Sequence, residues 1–208
     1  DLFNKQGQTS TKVMTFRGYK ILIWLGQGTS VMSVVQKDSV KAYLNNPPAG
    51  QKSKLIIFSE DIGYQFGRNS STYYDVNFMN QYLGANYVLD RPTSGANQGL
   101  VGAYINAGLK DSTVGTWPDV LSRFDPSTTH ELYKFRSDNS VNAIGKIASN
   151  FNVATFGLDI RSLRRAVDSQ DGSPVPRFLS AALLYVNTDG TLQRNYTLNL
   201  KAFIEGYY

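Results

Sequence analysis

The segment 19–25 (YKILIWL) is a continuous apolar run closed by Gly26, Gln27 and Gly28. A run apolar at successive positions predicts a strand buried on both faces, the pattern of a parallel sheet. After it, Val31, Val34, Val35, Val40, Tyr43 and Leu44 recur near a helical period within 30–45, with Ser30 at the N-cap position and Pro47 and Pro48 past the end. The pattern then repeats. Segment 54–59 (KLIIFS) predicts a second strand, Phe78, Tyr82 and Leu83 within 73–83 predict a second helix stopped by Gly84, and 86–89 (NYVL) predicts a third strand. Two such units predict parallel strands joined by right-handed crossovers, with any site at their carboxyl ends, in the loops after Leu25 and Phe58.

Between 91 and 136, glycines and prolines break every period, and irregular loops with short strands are expected. Segments 143–148 and 152–158 read as two strands separated by a turn at Ser149 and Asn150, and 176–185 reads as a helix. The tail is different in kind, because 196–204 alternates polar and apolar positions as a half-buried strand does. Such a strand needs a partner: residues before Arg17, a second copy, or a following domain. The expected organisation is therefore an N-terminal extension (1–16), one α/β domain (17–188) and a β segment (189–208) that links to or begins a further β-rich domain.

Four stretches, 19–26 (YKILIWLG), 40–44 (VKAYL), 55–64 (LIIFSEDIGY) and 78–90 (FMNQYLGANYVLD), together resemble the class I glutamine-amidotransferase-like domain of large secreted bacterial proteins. The resemblance implies a flavodoxin-like α/β fold: an open, mostly parallel sheet with helices on both faces, here followed by a β appendage. In catalytic members a Cys occupies the turn after a central strand, and a His with a Glu follows late in the chain. The matching turn here is 58–63 (FSEDIG), which places Ser59 or Glu60 at the nucleophile position, and no histidine follows Glu131. The resemblance thus implies a non-catalytic structural or binding module, secreted or at the cell surface. The expected partners are neighbouring domains or copies of the same protein, which the unpaired tail strand would need, or a glycan or other surface ligand.

Composition narrows the chemistry. The 208 residues are 41% hydrophobic and 18% charged, the balance of a folded protein, and no apolar run reaches the ~18 residues of a membrane span. Cysteine is absent, which excludes disulfides, thiolate nucleophiles and Cys-ligated metals and leans toward an oxidising, extracellular setting. His130 is the sole histidine, within the polar stretch 125–131, and reads as a surface loop residue. No cofactor or metal is expected.

The enzymatic alternative is a hydrolase or amidotransferase relative working through Ser59 with His130 as base, or through Glu60 and Asp61. A divalent cation there would need Asp75 or Asp90 as further oxygen ligands, a convergence that spacing does not supply. The ligand cleft is expected at Gly26, Gln27, Gly28, Ser59, Glu60, Asp61 and Tyr64. The loop Gly26 to Ser30 lacks the Lys of a phosphate-binding loop and reads as a tight strand-to-helix turn. Around it Tyr64, Tyr73, Tyr74, Tyr82 and Tyr87 offer aromatic surface for sugars or a neighbouring domain, or simply core. The net charge is +5, and Arg161, Arg164 and Arg165 fall on one face if helical and with Arg177 could form a patch for an anion or nucleic acid. Asp159 and Asp168 lie beside them and no aromatic stripe interleaves, so a nucleic-acid partner is not expected.

Overall fold

The structure is a computed structural model and describes residues 16, 19–26, 31–93, 96–165 and 173–188. The N-terminal extension, Gln27, Gly28, Ser30, Asp168 and the expected strand 196–204 lie outside the described residues. Three strands fall on the apolar runs, β1 (Leu22–Leu25), β2 (Ser53–Phe58) and β9 (Phe151–Phe156), but among the described residues β1 pairs with β2 alone and is not buried on both faces, Leu25 being half exposed. They run parallel, with β1 on β2 (Leu22 opposite Leu55) and β2 on β9 (Ser53 opposite Phe151). Between β1 and β2 lies helix α1 (Val34–Asn45), whose N-cap is Ser33 and not Ser30. Ser33 Oγ accepts from Gln36 N–H at 3.3 Å, and the Gln36 side chain accepts in return from Ser33 N–H at 2.8 Å.

Beyond this parallel core the expected fold is corrected. The remaining strands are β3 (Ala85–Asp90), β4 (Gln98–Gly102), β5 (Lys110–Thr113), β6 (Asp119–Arg123), β7 (Thr129–Phe135), β8 (Val141–Ile147) and β10 (Leu163–Arg164), and every pairing they make is antiparallel. The ten-stranded sheet is therefore mixed and curled, with main order β1-β2-β9-β8-β7-β4-β5-β10 and a branch in which β6 joins β8 to β3. It is not an open, mostly parallel flavodoxin-like sheet, and the amidotransferase-like resemblance does not hold. The reason lies in the connections. Residues 148–150 join β8 to β9, and so short a link permits only a hairpin, since a parallel crossover takes about a dozen residues or more. The second expected β-α-β unit also fails, because β3 pairs with β6 and not with β2.

Among the described residues helices are few: α1, the short α2 (Ile62–Gly67) and α3 (Pro174–Val186), with single π or 3₁₀ turns elsewhere. The helix expected over 73–83 is a π-helical turn, Phe78–Leu83, ended by Gly84. Successive residues of β2 feed two cores. Leu55 and Ile57 pack with Val40, Leu44, Phe66, Phe78 and Leu83, while Ile56 and Phe58 pack with Phe156, Phe178, Ala182 and Tyr185. Each such fully buried side chain contributes about 1.5–3 kcal/mol. Helix α3 approaches the sheet at Gly145, where an added Cβ would stand 2.2 Å from Tyr185 Cζ.

Candidate functional site

At the carboxyl ends of the parallel strands the ladder runs one residue further, Gly26 N–H donating to Phe58 O at 2.8 Å and Ser59 N–H to Phe156 O at 3.1 Å. Ser59 is completely buried and its Oγ has no hydrogen-bond partner among the described residues. Gly26 seals it: a Cβ at that position would lie 2.5 Å from the Ser59 Oγ. Next to it, Glu60 Oε1 accepts from Trp117 N–H at 2.6 Å, which ties the turn to the loop before β6.

Asp61 occupies the N-cap position of α2, yet its side chain makes no capping bond. Asp119, wholly buried at the start of β6, caps the helix instead. Its Oδ2 accepts from Gly63 N–H at 2.7 Å and its Oδ1 from Tyr64 N–H at 3.3 Å, so a distant strand satisfies the free amides of the first turn. Burial pushes the Asp119 carboxyl well above the usual range against those two bonds, and Asp90 and Asp61 add to the rise. Asp61 is raised to about 6, first by burial and then by the charges of Asp90 and Glu60. Tyr87 is raised by burial and by Asp90. Asp75 stands apart, bound to Lys37 at 2.5 Å and Lys41 at 2.8 Å. Among the described residues no three His, Asp or Glu side chains are grouped to hold a metal ion.

The tyrosines disperse. Tyr64 meets Tyr87 edge-on at 6.3 Å with Arg68 over its ring, Tyr82 stacks on Phe151 at 5.9 Å, and Tyr73 and Tyr74 are exposed. The arginines also separate, since Ile160–Ser162 is a 3₁₀ turn leading into β10 and not a helix. Arg161 pairs with Asp159, and Arg177 with the fully buried Asp111.

His130 lies not in a loop but on β7, and the register places it opposite Gly145, hence level with Ala154 and Ile56. Ser59 is therefore three strands across and three residues along, a separation on the order of 14 Å across the strands alone. The histidine has other partners. Its Nδ1 is 2.9 Å from the Tyr185 hydroxyl, and its ring stacks on Tyr104 with centroids 4.1 Å apart and planes 21° off parallel. Burial, helped by the nearby Arg123 charge, lowers the imidazole below its usual range.

Tyr104 has φ 54°, a left-handed conformation that costs a non-glycine residue about 1–2 kcal/mol. Ala103, Tyr104, Arg123, His130 and Glu131 line a shallow cavity of about 230 Å³ that is open to solvent. Glu131 there binds Lys134 at 2.6 Å and stands 3.9 Å from Arg123. The sequence singled out His130 but not Tyr104, Arg123 or Glu131, because a left-handed tyrosine leaves no signature in a glycine-interrupted stretch and the two charged residues read as ordinary surface.

No family model matches the chain, and no curated protein matches it. The fold is similar to part of a β-galactosidase from the Antarctic haloarchaeon Halorubrum lacusprofundi, with TM-score 0.53 and 12% identity over 84% of this chain and 23% of that one. A cytoplasmic protein from Salmonella typhimurium is similar at TM-score 0.52 and 12% identity, over 81% of this chain and 72% of that one. The chain thus spans about a quarter of the β-galactosidase.

Proposed function

We propose that this domain is a non-catalytic binding module within a larger extracellular or cell-surface protein. The observation that supports it most is the isolation of Ser59: the hydroxyl at the strand end is enclosed by Gly26, while the sole histidine is engaged by Tyr185 and Tyr104 three strands away. A serine without a base in reach is a poor nucleophile at neutral pH. Glu60 is likewise occupied, holding the Trp117 amide. The similar fold in the β-galactosidase makes up 23% of its chain, which accords with a role as one part of a larger assembly. The cysteine-free composition supports the extracellular setting.

The test is turnover. The purified domain is expected to hydrolyse p-nitrophenyl esters, amides and glycosides no faster than buffer does, and Ser59→Ala and Glu60→Gln to change nothing. A rate above buffer that disappears in either variant, with the fold intact, sinks the proposal.

A further inference from the structure

We infer that the cavity beneath Tyr104 is a binding site for a single pyranose ring of a neutral saccharide, an inference that rests on the binding-module reading above. Size is the first argument. At about 230 Å³ and open to solvent, the cavity offers contact surface for about one ring, and the remainder of a longer saccharide would extend into water.

The second argument is the lining. Tyr104 is backed by the His130 ring at 4.1 Å yet stays 45% exposed, which leaves aromatic surface for a visitor. The C–H face of a pyranose is apolar and faintly positive, the complement of an aromatic π-face. Around its rim a pyranose carries hydroxyls that both donate and accept. Arg123 and Glu131, 3.9 Å apart, offer donors and acceptors side by side, so one hydroxyl can accept from the guanidinium while its neighbour donates to the carboxylate. Arg123 and Glu131, the two charged residues of the lining, offset each other across 3.9 Å, so neither sign of ligand charge is required and a neutral polar ring can use both.

The third argument is conformational. Tyr104 holds φ 54° at the cavity wall, where glycine would sit without strain. Residues kept in such conformations cluster at ligand sites. Here the strained residue is the one that presents the aromatic surface.

The experiment is saturation-transfer NMR on the full chain with the methyl pyranosides of galactose, glucose, mannose, xylose and N-acetylglucosamine, and with adenosine as a planar competitor. At least one pyranoside is expected to bind saturably, with Kd on the order of 1 mM for so small a contact. Tyr104→Gly removes the ring while relieving the backbone, so it should keep the fold and lose binding about ten-fold or more. Glu131→Gln, which keeps the shape, should weaken binding several-fold. No pyranoside binding, binding of adenosine alone, or binding unchanged in Tyr104→Gly overturns the inference and leaves the binding-module reading standing. Hydrolysis of a bound glycoside does the reverse: it sinks that reading and leaves the site.

Discussion

At the scale of single residues, Ser59 lacks the chemistry that its place in the chain suggested, and Asp119 does what its place did not suggest. Ser59 stands on the turn where the expected parallel fold would have placed its chemistry, but its hydroxyl is buried with no partner among the described residues, and an unpaired buried polar atom is a liability. Ser59→Ala is therefore expected to hold or raise stability, by up to about 1 kcal/mol, since it deletes an unsatisfied group and leaves no cavity larger than one atom. Urea denaturation of both proteins measures it, and a loss above that size shows that the hydroxyl has a partner in solution. Asp119 does work that local sequence cannot announce, because an acceptor for Gly63 and Tyr64 supplied from 55 residues or more away has no spacing rule. Asp61, which precedes α2 in the chain, makes no capping bond, and the cap belongs to Asp119.

At the scale of elements, hydrophobic runs were read wherever both faces of a strand are buried. β2 and β9 are buried at nearly every position, and their apolar runs stand out for that reason. β5 is the opposite case. Its residues, Lys110–Thr113, are all polar, yet Asp111, Ser112 and Thr113 are buried, with Asp111 neutralised by Arg177 from α3. No hydrophobicity pattern finds such a strand. β7 is interrupted twice by register shifts, which breaks the alternation expected of an antiparallel strand. Helix α3 was legible from its own apolar face, but its seat was not, since that depends on the absence of a side chain at Gly145. Gly145→Ala is expected to push Tyr185 and the helix off the sheet and destabilise the protein by about 1–3 kcal/mol. It should also release the His130 to Tyr185 contact, visible as a rise in the imidazole pKa by NMR. An unchanged melting temperature and pKa would mean that α3 is seated differently.

At the scale of the whole molecule, buried carboxylates set the response to pH. Asp61 is raised to about 6, so the stability linked to its protonated form is complete near pH 4 and is lost as pH rises through about 6. Asp75 is lowered to about 2, mainly by its bonds to Lys37 and Lys41 that outweigh burial, so its contribution is present above about pH 4 and is lost on acidification toward 2. Together they predict a stability maximum near pH 4–5, declining on both sides. Asp61→Asn should flatten the decline between pH 4 and 6 and gain on the order of 1–2 kcal/mol at pH 7, after allowance for solvent screening. Denaturation at pH 3, 5 and 7 checks this, and a maximum at pH 7 in the parent protein contradicts it.

The pairing of β2 with β9 joins Ser53 to Phe151, close to a hundred residues later. During synthesis, therefore, β1 and β2 emerge with the other edge of β2 unpaired, and the strand that completes β2 appears only after close to a hundred further residues have been made. At roughly 5–20 residues per second this leaves β2 exposed for several seconds or more. Over that interval the antiparallel strands between them, joined by short links, can pair with one another first. The growing chain is then in the position of an arch whose springers are laid early and whose keystone, β9, arrives late. A cell that makes this protein must keep β1 and β2 from other partners until it does.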